Sequence, residues 1–188
     1  MCQDRDNMAA AIRNLAAHET AHALQRALPN ESLERRDLLM WALREGAANY
    51  LAALVTGNDR SGTDNAWALS RERQLFNEFM RDRQTMREHW RGAEPDAVAV
   101  AAGTRWMWNQ RTDDGRPADL AYWIGQRIWH AYYQGHADKR AATRTMLDLP
   151  DPDKVLRESG YFSIAPASER SAVAEPGNTY PPAAIPPE

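Results

Sequence analysis

Two histidines four residues apart, His18 and His22, stand inside the alanine- and leucine-rich run Leu15–Gln25, and this pairing constrains the fold more than any other feature. A helix stacks residues i and i+4 on one face with Cβ atoms roughly 5–6 Å apart, so two imidazoles placed there can reach one metal ion. Glu19 lies between them in H-E-x-x-H order and points to the neighbouring strip of the helix, beside such an ion and not on it. A third ligand must then come from another element packed against this face.

Met8, Ile12, Leu15, Ala16 and Ala23 recur at helical spacing, which predicts a first helix over Met8–Leu28, capped by Asp6 or Asn7 and ended by Pro29-Asn30. A second is predicted from Ser32 to about Thr56, with Leu39, Leu43, Ala47, Tyr50, Leu51 and Leu54 on its apolar side and Gly57 as its stop. Glu45 stands in the middle of it, among residues fit for burial. An unpaired buried carboxylate is expensive, and a zinc ion held by two neutral imidazoles is a sufficient partner. The alternative is an exposed Glu45 paired with Arg44 or Arg36. Asn49 follows one turn later on the same face; its side-chain oxygen either fixes the second ring N–H of a ligand histidine or belongs to an ordinary polar residue.

The remaining pattern is also helical. A charged helix is expected over Asp64–Trp90, with Trp67, Leu69, Leu75, Phe76, Phe79 and Met86 toward the core and His89 in its C-terminal turn. Glu94-Pro95 opens a short helix, Trp106-Met107-Trp108 packs the chain down as core or pocket lining, and Asp113–Pro117 forms a turn. Asp119–Gln134 reads as a helix whose interior Gly125 costs about 1 kcal/mol against alanine, which points to a close helix contact. A short helix runs to Leu147, and Asp151-Pro152-Asp153 starts a last one that stops at Ser159-Gly160-Tyr161. Six prolines between Ala165 and Glu188 predict a disordered tail after a mainly α-helical domain over residues 1–164.

Composition narrows the function classes. The charges of a chain with net charge -3 are interspersed, leaving no basic footprint for nucleic acid, and no apolar run reaches membrane-spanning length. A single cysteine, Cys2, excludes an internal disulfide framework and a thiolate zinc site. G-x-S-x-G and G-x-x-x-x-G-K-[ST] patterns are absent. Met1–Asn7 is polar without a signal peptide, so the expected compartment is cytoplasmic as written, or outside the cytoplasm if an N-terminal segment is missing. Oligomeric state is left open.

His18-Glu19-x-x-His22, Glu45-Gly46-x-x-Asn49 and Tyr122-Trp123-Ile124-Gly125 together resemble the gluzincin metallopeptidases, in which two histidines of one helix and a glutamate of the next hold zinc. More closely, the chain is similar to a bacterial family of predicted zinc-dependent proteases that continues with a Tyr-x-x-Gly helix and ends in a Leu-x-x-Ser-Gly-Tyr-like segment, here Leu156–Tyr161. The resemblance spans Leu15–Tyr161 and implies a zincin-like helical core with His18, His22 and Glu45 as zinc ligands. It further implies Glu19 as general base, Asn49 where gluzincins often place an aspartate behind a ligand histidine, and a peptide or protein substrate. Tyr122 is the chosen transition-state hydrogen-bond donor, with His130, Tyr132 and Tyr133 as competitors. Gluzincins usually carry a sheet subdomain ahead of the motif helix, but only seventeen residues precede His18, so the expectation is a truncated frame or a minimal helical version. The rival expectations are a non-catalytic, zinc-stabilised helical binding module and a helical interaction protein without metal.

Overall fold

The computed structural model describes residues 2–28, 36–57, 65–110 and 115–162, and among these the fold is mainly helical, without a strand. Eight helices are present there: α1 (Cys2–Leu24), α2 (Leu38–Thr56), α3 (Asn65–Leu69), α4 (Glu72–His89), α5 (Ala97–Thr104), α6 (Leu120–Gly135), α7 (Lys139–Asp148) and α8 (Pro152–Ser159). None is long and apolar enough to cross a membrane. The tail expected from Ala165 and the Ser32 cap lie outside the described residues.

Helix α2 is the centre of the molecule, packed against α1, α4, α6, α7 and α8. Its sequence explains why. Before Thr56 its only charged or amide side chains are Arg44, Glu45 and Asn49, and a helix apolar nearly all round is stable only when surrounded. Asp37 caps it by accepting from Leu39 N–H at 2.8 Å, and Gly57 ends it in the left-handed region at φ 65°.

Helices α2 and α6 approach more closely than side chains would permit. A Cβ on Gly125 would stand 1.8 Å from the Ala42 carbonyl oxygen, and one on Gly46 would stand 2.2 Å from the Gly125 carbonyl carbon. The interior glycine of α6 therefore has the packing reason its helix cost implied. Trp129 Nε1 closes the same interface by donating to Leu43 O at 2.7 Å.

Besides α2, which starts at Leu38 after its extended Asp37 cap and so is not one helix running from Ser32, three features differ from the sequence expectation. Helix α1 begins at Cys2, so Asp6 and Asn7 lie inside it, and it stops at Leu24 because tertiary bonds draw the next residues away. Arg26 N–H donates to Leu147 O at 2.8 Å, and its guanidinium reaches the Asp148 and Leu149 carbonyls at 2.9 Å each. The predicted Asp64–Trp90 helix is interrupted at Ser70-Arg71, where the Ser70 hydroxyl and Arg71 Nη1 both donate to Trp67 O and Arg71 N–H falls back to Ala68 O. Local side-chain donors have taken the carbonyl that an unbroken helix would use.

The third difference concerns orientation. Met8, Ile12 and Leu15 face solvent, with Met8 64% and Ile12 60% exposed, whereas Asn14, Ala21 and Gln25 are buried against the rest of the molecule. The polar face of α1 is the packed one. Ile12→Gln should accordingly change unfolding free energy by less than about 0.5 kcal/mol, since surface positions outside special contacts rarely do more. A urea titration giving a substantially larger loss would mean that this stripe is covered.

Candidate metal centre

The packed face of α1 carries His18 and His22 onto the polar strip of α2. His22 Nε2 lies 3.0 Å from His18 Nε2 and 3.0 Å from Glu45 Oε2, and His18 Nε2 lies 3.6 Å from the same oxygen. Ligand atoms of a tetrahedral zinc, each about 2.0–2.2 Å from the ion, stand roughly 3.3–3.6 Å apart, close to this triangle. It is the group of His, Cys, Asp and Glu side chains among the described residues that could hold a metal ion.

Hydrogen bonding on the far side of each ring decides what the triangle needs. His18 Nδ1 lies 2.9 Å from Asn49 Oδ1, and His22 Nδ1 lies 2.8 Å from Gln25 Oε1. The Gln25 amide is pinned, because its Nε2 donates to Arg44 O at 2.8 Å, leaving the oxygen to accept from His22. With Nδ1 of His22 donating to this oxygen and Nδ1 of His18 turned to the Asn49 oxygen, the Nε2 atoms of both rings are the ones that face each other and Glu45 Oε2. Three acceptors converge at about 3 Å, a distance at which only a proton or a cation between them is stabilising.

A proton shared among the three atoms is the alternative to a cation, and the protonation tendencies describe that case. Burial would raise the Glu45 carboxyl, but hydrogen bonds from His18 and His22 bring it down to about 2. The His22 imidazole is raised above its ordinary value, chiefly by its hydrogen bond to Glu45 and against the effect of burial. A divalent cation held by these three atoms would compete with that proton.

Two of the remaining candidates border the triangle. Tyr122, near the start of α6, has its hydroxyl pushed up to about 12 by burial and then by the charges of Glu45 and Asp119; Glu19 contributes a smaller push. Glu19 itself is exposed on the strip of α1 next to the histidines. The Gly46–Gly125 contact sets this arrangement, since Gly46 follows Glu45 and Gly125 lies one turn beyond Tyr122. His130, Tyr132 and Tyr133 stand two or more turns further along α6, about 12 Å or more from Tyr122 by helical rise. His130 and Tyr133 pack on Tyr50, and Tyr132 stacks on His136 at 3.9 Å.

Sequence reasoning missed Gln25. The available signal was its place three residues after His22, a polar side chain on the histidine face. The Leu156–Tyr161 segment works away from the centre. Ser159 Oγ donates to Leu156 O and accepts from Tyr161 N–H, Gly160 turns at φ 65°, and the buried Tyr161 hydroxyl donates to Glu72 at 2.8 Å.

Beside Glu45 opens a cleft of about 980 Å³ walled by Arg36, Arg44 and Arg91 and by Trp41, Trp90 and Trp108. Trp106 and Met107 enter the core, whereas Trp108, with φ 56°, is 65% exposed and lies against Trp41 at 4.8 Å between ring centroids. Comparison with known proteins finds no family model, no curated protein and no solved structure that matches this chain.

Proposed function

We propose that the chain is a zinc-dependent hydrolase of peptide bonds with a gluzincin-like centre. The observation that carries this reading is the convergence of His18 Nε2, His22 Nε2 and Glu45 Oε2, with the outward nitrogen of each ring against an amide oxygen. His18, His22 and Glu45 would hold zinc, with Asn49 and Gln25 fixing ring direction and tautomer. When bound, zinc supplies a Lewis acid and lowers the pKa of water toward about 7, leaving one coordination position for chemistry.

The chain's own residues do the rest. Glu19 accepts a proton from the attacking water and returns it to the leaving amine. Tyr122, whose hydroxyl keeps its proton far above neutral pH, donates a hydrogen bond to the carbonyl oxygen as negative charge grows there. A second reading, a zinc-stabilised helical module without turnover, is favoured by the way the triangle ties α1 to α2 and by the exposure of Glu19. It predicts bound zinc, no hydrolysis and loosening on chelation.

Elemental analysis of purified protein beside His18→Ala and Glu45→Ala tests the metal. A single zinc per chain is expected, lost in both variants, and a wild-type chain that takes up none after refolding with zinc sinks the proposal. Glu19→Gln should keep its zinc while hydrolysis of a peptide library falls by about 10²–10⁴-fold. Undiminished turnover in that variant removes Glu19 from the mechanism.

A further inference from the structure

The arginines of the cleft differ from the others that lie between helices. Among the described residues, the arginines that are half or fully buried are Arg36, Arg44, Arg83, Arg116 and Arg127. Arg83 is paired with Asp37 at 2.7 Å, Arg116 with Glu78 at 3.5 Å and Arg127 with Glu72 at 2.7 Å. Arg36 and Arg44 have no carboxylate partner among the described residues, and both face the same cleft. Arg44 spends one nitrogen on Arg26 O at 3.2 Å, and its charge reaches His22 closely enough to oppose protonation of that ring. Arg91 adds a third cation at the rim. Opposing them are Glu45, already committed to the histidines, and the exposed Glu94.

The same cleft is lined by aromatic side chains. Trp41 stands between Trp90, edge-on at 6.0 Å, and Trp108 at 4.8 Å. Trp108 leaves most of its indole uncovered while its backbone sits in the left-handed region, which a bulky residue adopts only rarely. Guanidinium groups present planar donor pairs that match a carboxylate bidentately, and exposed indoles bury an apolar side chain. A ligand complementary to both carries a carboxylate next to an apolar or aromatic side chain.

We propose that this cleft is the recognition subsite for a carboxylate-bearing peptide, with Arg36 and Arg44 holding the carboxylate and Trp41 and Trp108 the adjoining apolar side chain. As a statement about substrate class this rests on the hydrolytic reading above. The same carboxylate chemistry occurs at a peptide C-terminus and on an acidic side chain. Arg36 and Arg44 thus place hydrolysis at bonds close to one of these groups.

Indole fluorescence gives a binding readout independent of turnover, because three tryptophans line the cleft. N-acetylphenylalanine, its amide, and the amide of N-acetylphenylalanylglutamate, whose one carboxylate is in the side chain, are titrated into metal-free and zinc-loaded protein. The free acid should bind about tenfold or more tightly than the amide in both forms, the preference expected from charge-assisted hydrogen bonds. That preference should vanish in Arg44→Gln and shrink in Arg36→Gln, while Trp108→Ala weakens acid and amide alike. A glutamate peptide that binds as tightly as the free acid or more so admits acidic side chains to the subsite; one that binds like the amide restricts it to C-termini. Equal affinity for all three ligands in the wild type overturns the proposal without need of any variant. A preference confined to the zinc-loaded form and untouched by the arginine variants also overturns it, since the metal itself would then be binding the carboxylate. Zinc content measured on the same samples separates the two readings. Bound zinc without discrimination leaves the metal centre and removes the subsite, whereas discrimination in a chain that takes up no zinc keeps the subsite and removes the hydrolase.

Discussion

Gly125→Ala is expected to destabilise the protein by about 3 kcal/mol or more, at or above the upper end of ordinary overpacking. Alanine in a helix interior is favoured over glycine by about 1 kcal/mol, so propensity alone predicts a gain. Geometry reverses the sign. The new methyl would stand 1.8 Å from the Ala42 carbonyl oxygen, and that atom belongs to the backbone of the central helix, which cannot rotate aside. The two helices must separate along the contact that also holds Leu43, Ile124 and Ile128 out of water. For a chain of this size each kcal/mol moves the midpoint by about 2–4 °C, so thermal melts should show a fall of about 6–12 °C. Separation would also draw Tyr122 away from Glu45 and lower its perturbed hydroxyl toward the ordinary phenol value. An unchanged or higher midpoint in Gly125→Ala would mean that α2 and α6 do not meet at these glycines.

Arg83→Ala carries the other large effect. Arg83 is 3% exposed and joins the cap of α2 to the start of α8, donating to Asp37 Oδ1 and Oδ2 at 2.8 and 2.7 Å and to Asp153 at 2.6 and 3.0 Å. Arg87 adds a bond to Asp37 at 2.6 Å. Removing one partner of a buried ion pair costs about 3–5 kcal/mol, because the other charge stays buried and uncompensated. Chemical denaturation at pH 7 should show that loss.

The same network sets an acid limit. Burial would raise the Asp37 carboxyl, but the Arg83 and Arg87 guanidiniums hold it below its ordinary value; Asp153 is lowered first by its hydrogen bond to Arg83. Folded-state values below the unfolded value mean stability that is complete above about pH 4 and lost as pH falls through the depressed folded-state values. The difference between wild type and Arg83→Ala should therefore be largest at neutral pH and narrow toward pH 2–3. A gap that stays constant down to pH 2 would exclude the carboxylates as its source.

Much of the architecture was legible because it is local. Gly57, Asp151-Pro152 and Gly160 stop or start helices by backbone rules that need no neighbours, and the glycine inside α6 announced a contact by its own cost. The spacing of His18 and His22 and of Glu45 and Asn49 placed each pair on one face before any partner was known. The break at Ser70-Arg71 and the end of α1 at Leu24 were not legible, since both follow from which donor reaches a carbonyl first.

The sequence by itself determined a helical chain and the intervals that set candidate ligands on common faces, because a 3.6-residue period is a property of the backbone. Only the tertiary structure decided that α1 turns its histidines, and not Met8, Ile12 and Leu15, toward α2. It also selected Gln25 to orient His22, gave Arg83 its two carboxylates and left Arg36 and Arg44 facing a cleft without a carboxylate partner among the described residues. Those choices depend on residues tens of positions apart meeting in space. The central helix made the first of them: Glu45 and Asn49 of an otherwise apolar α2 are met by the polar face of α1.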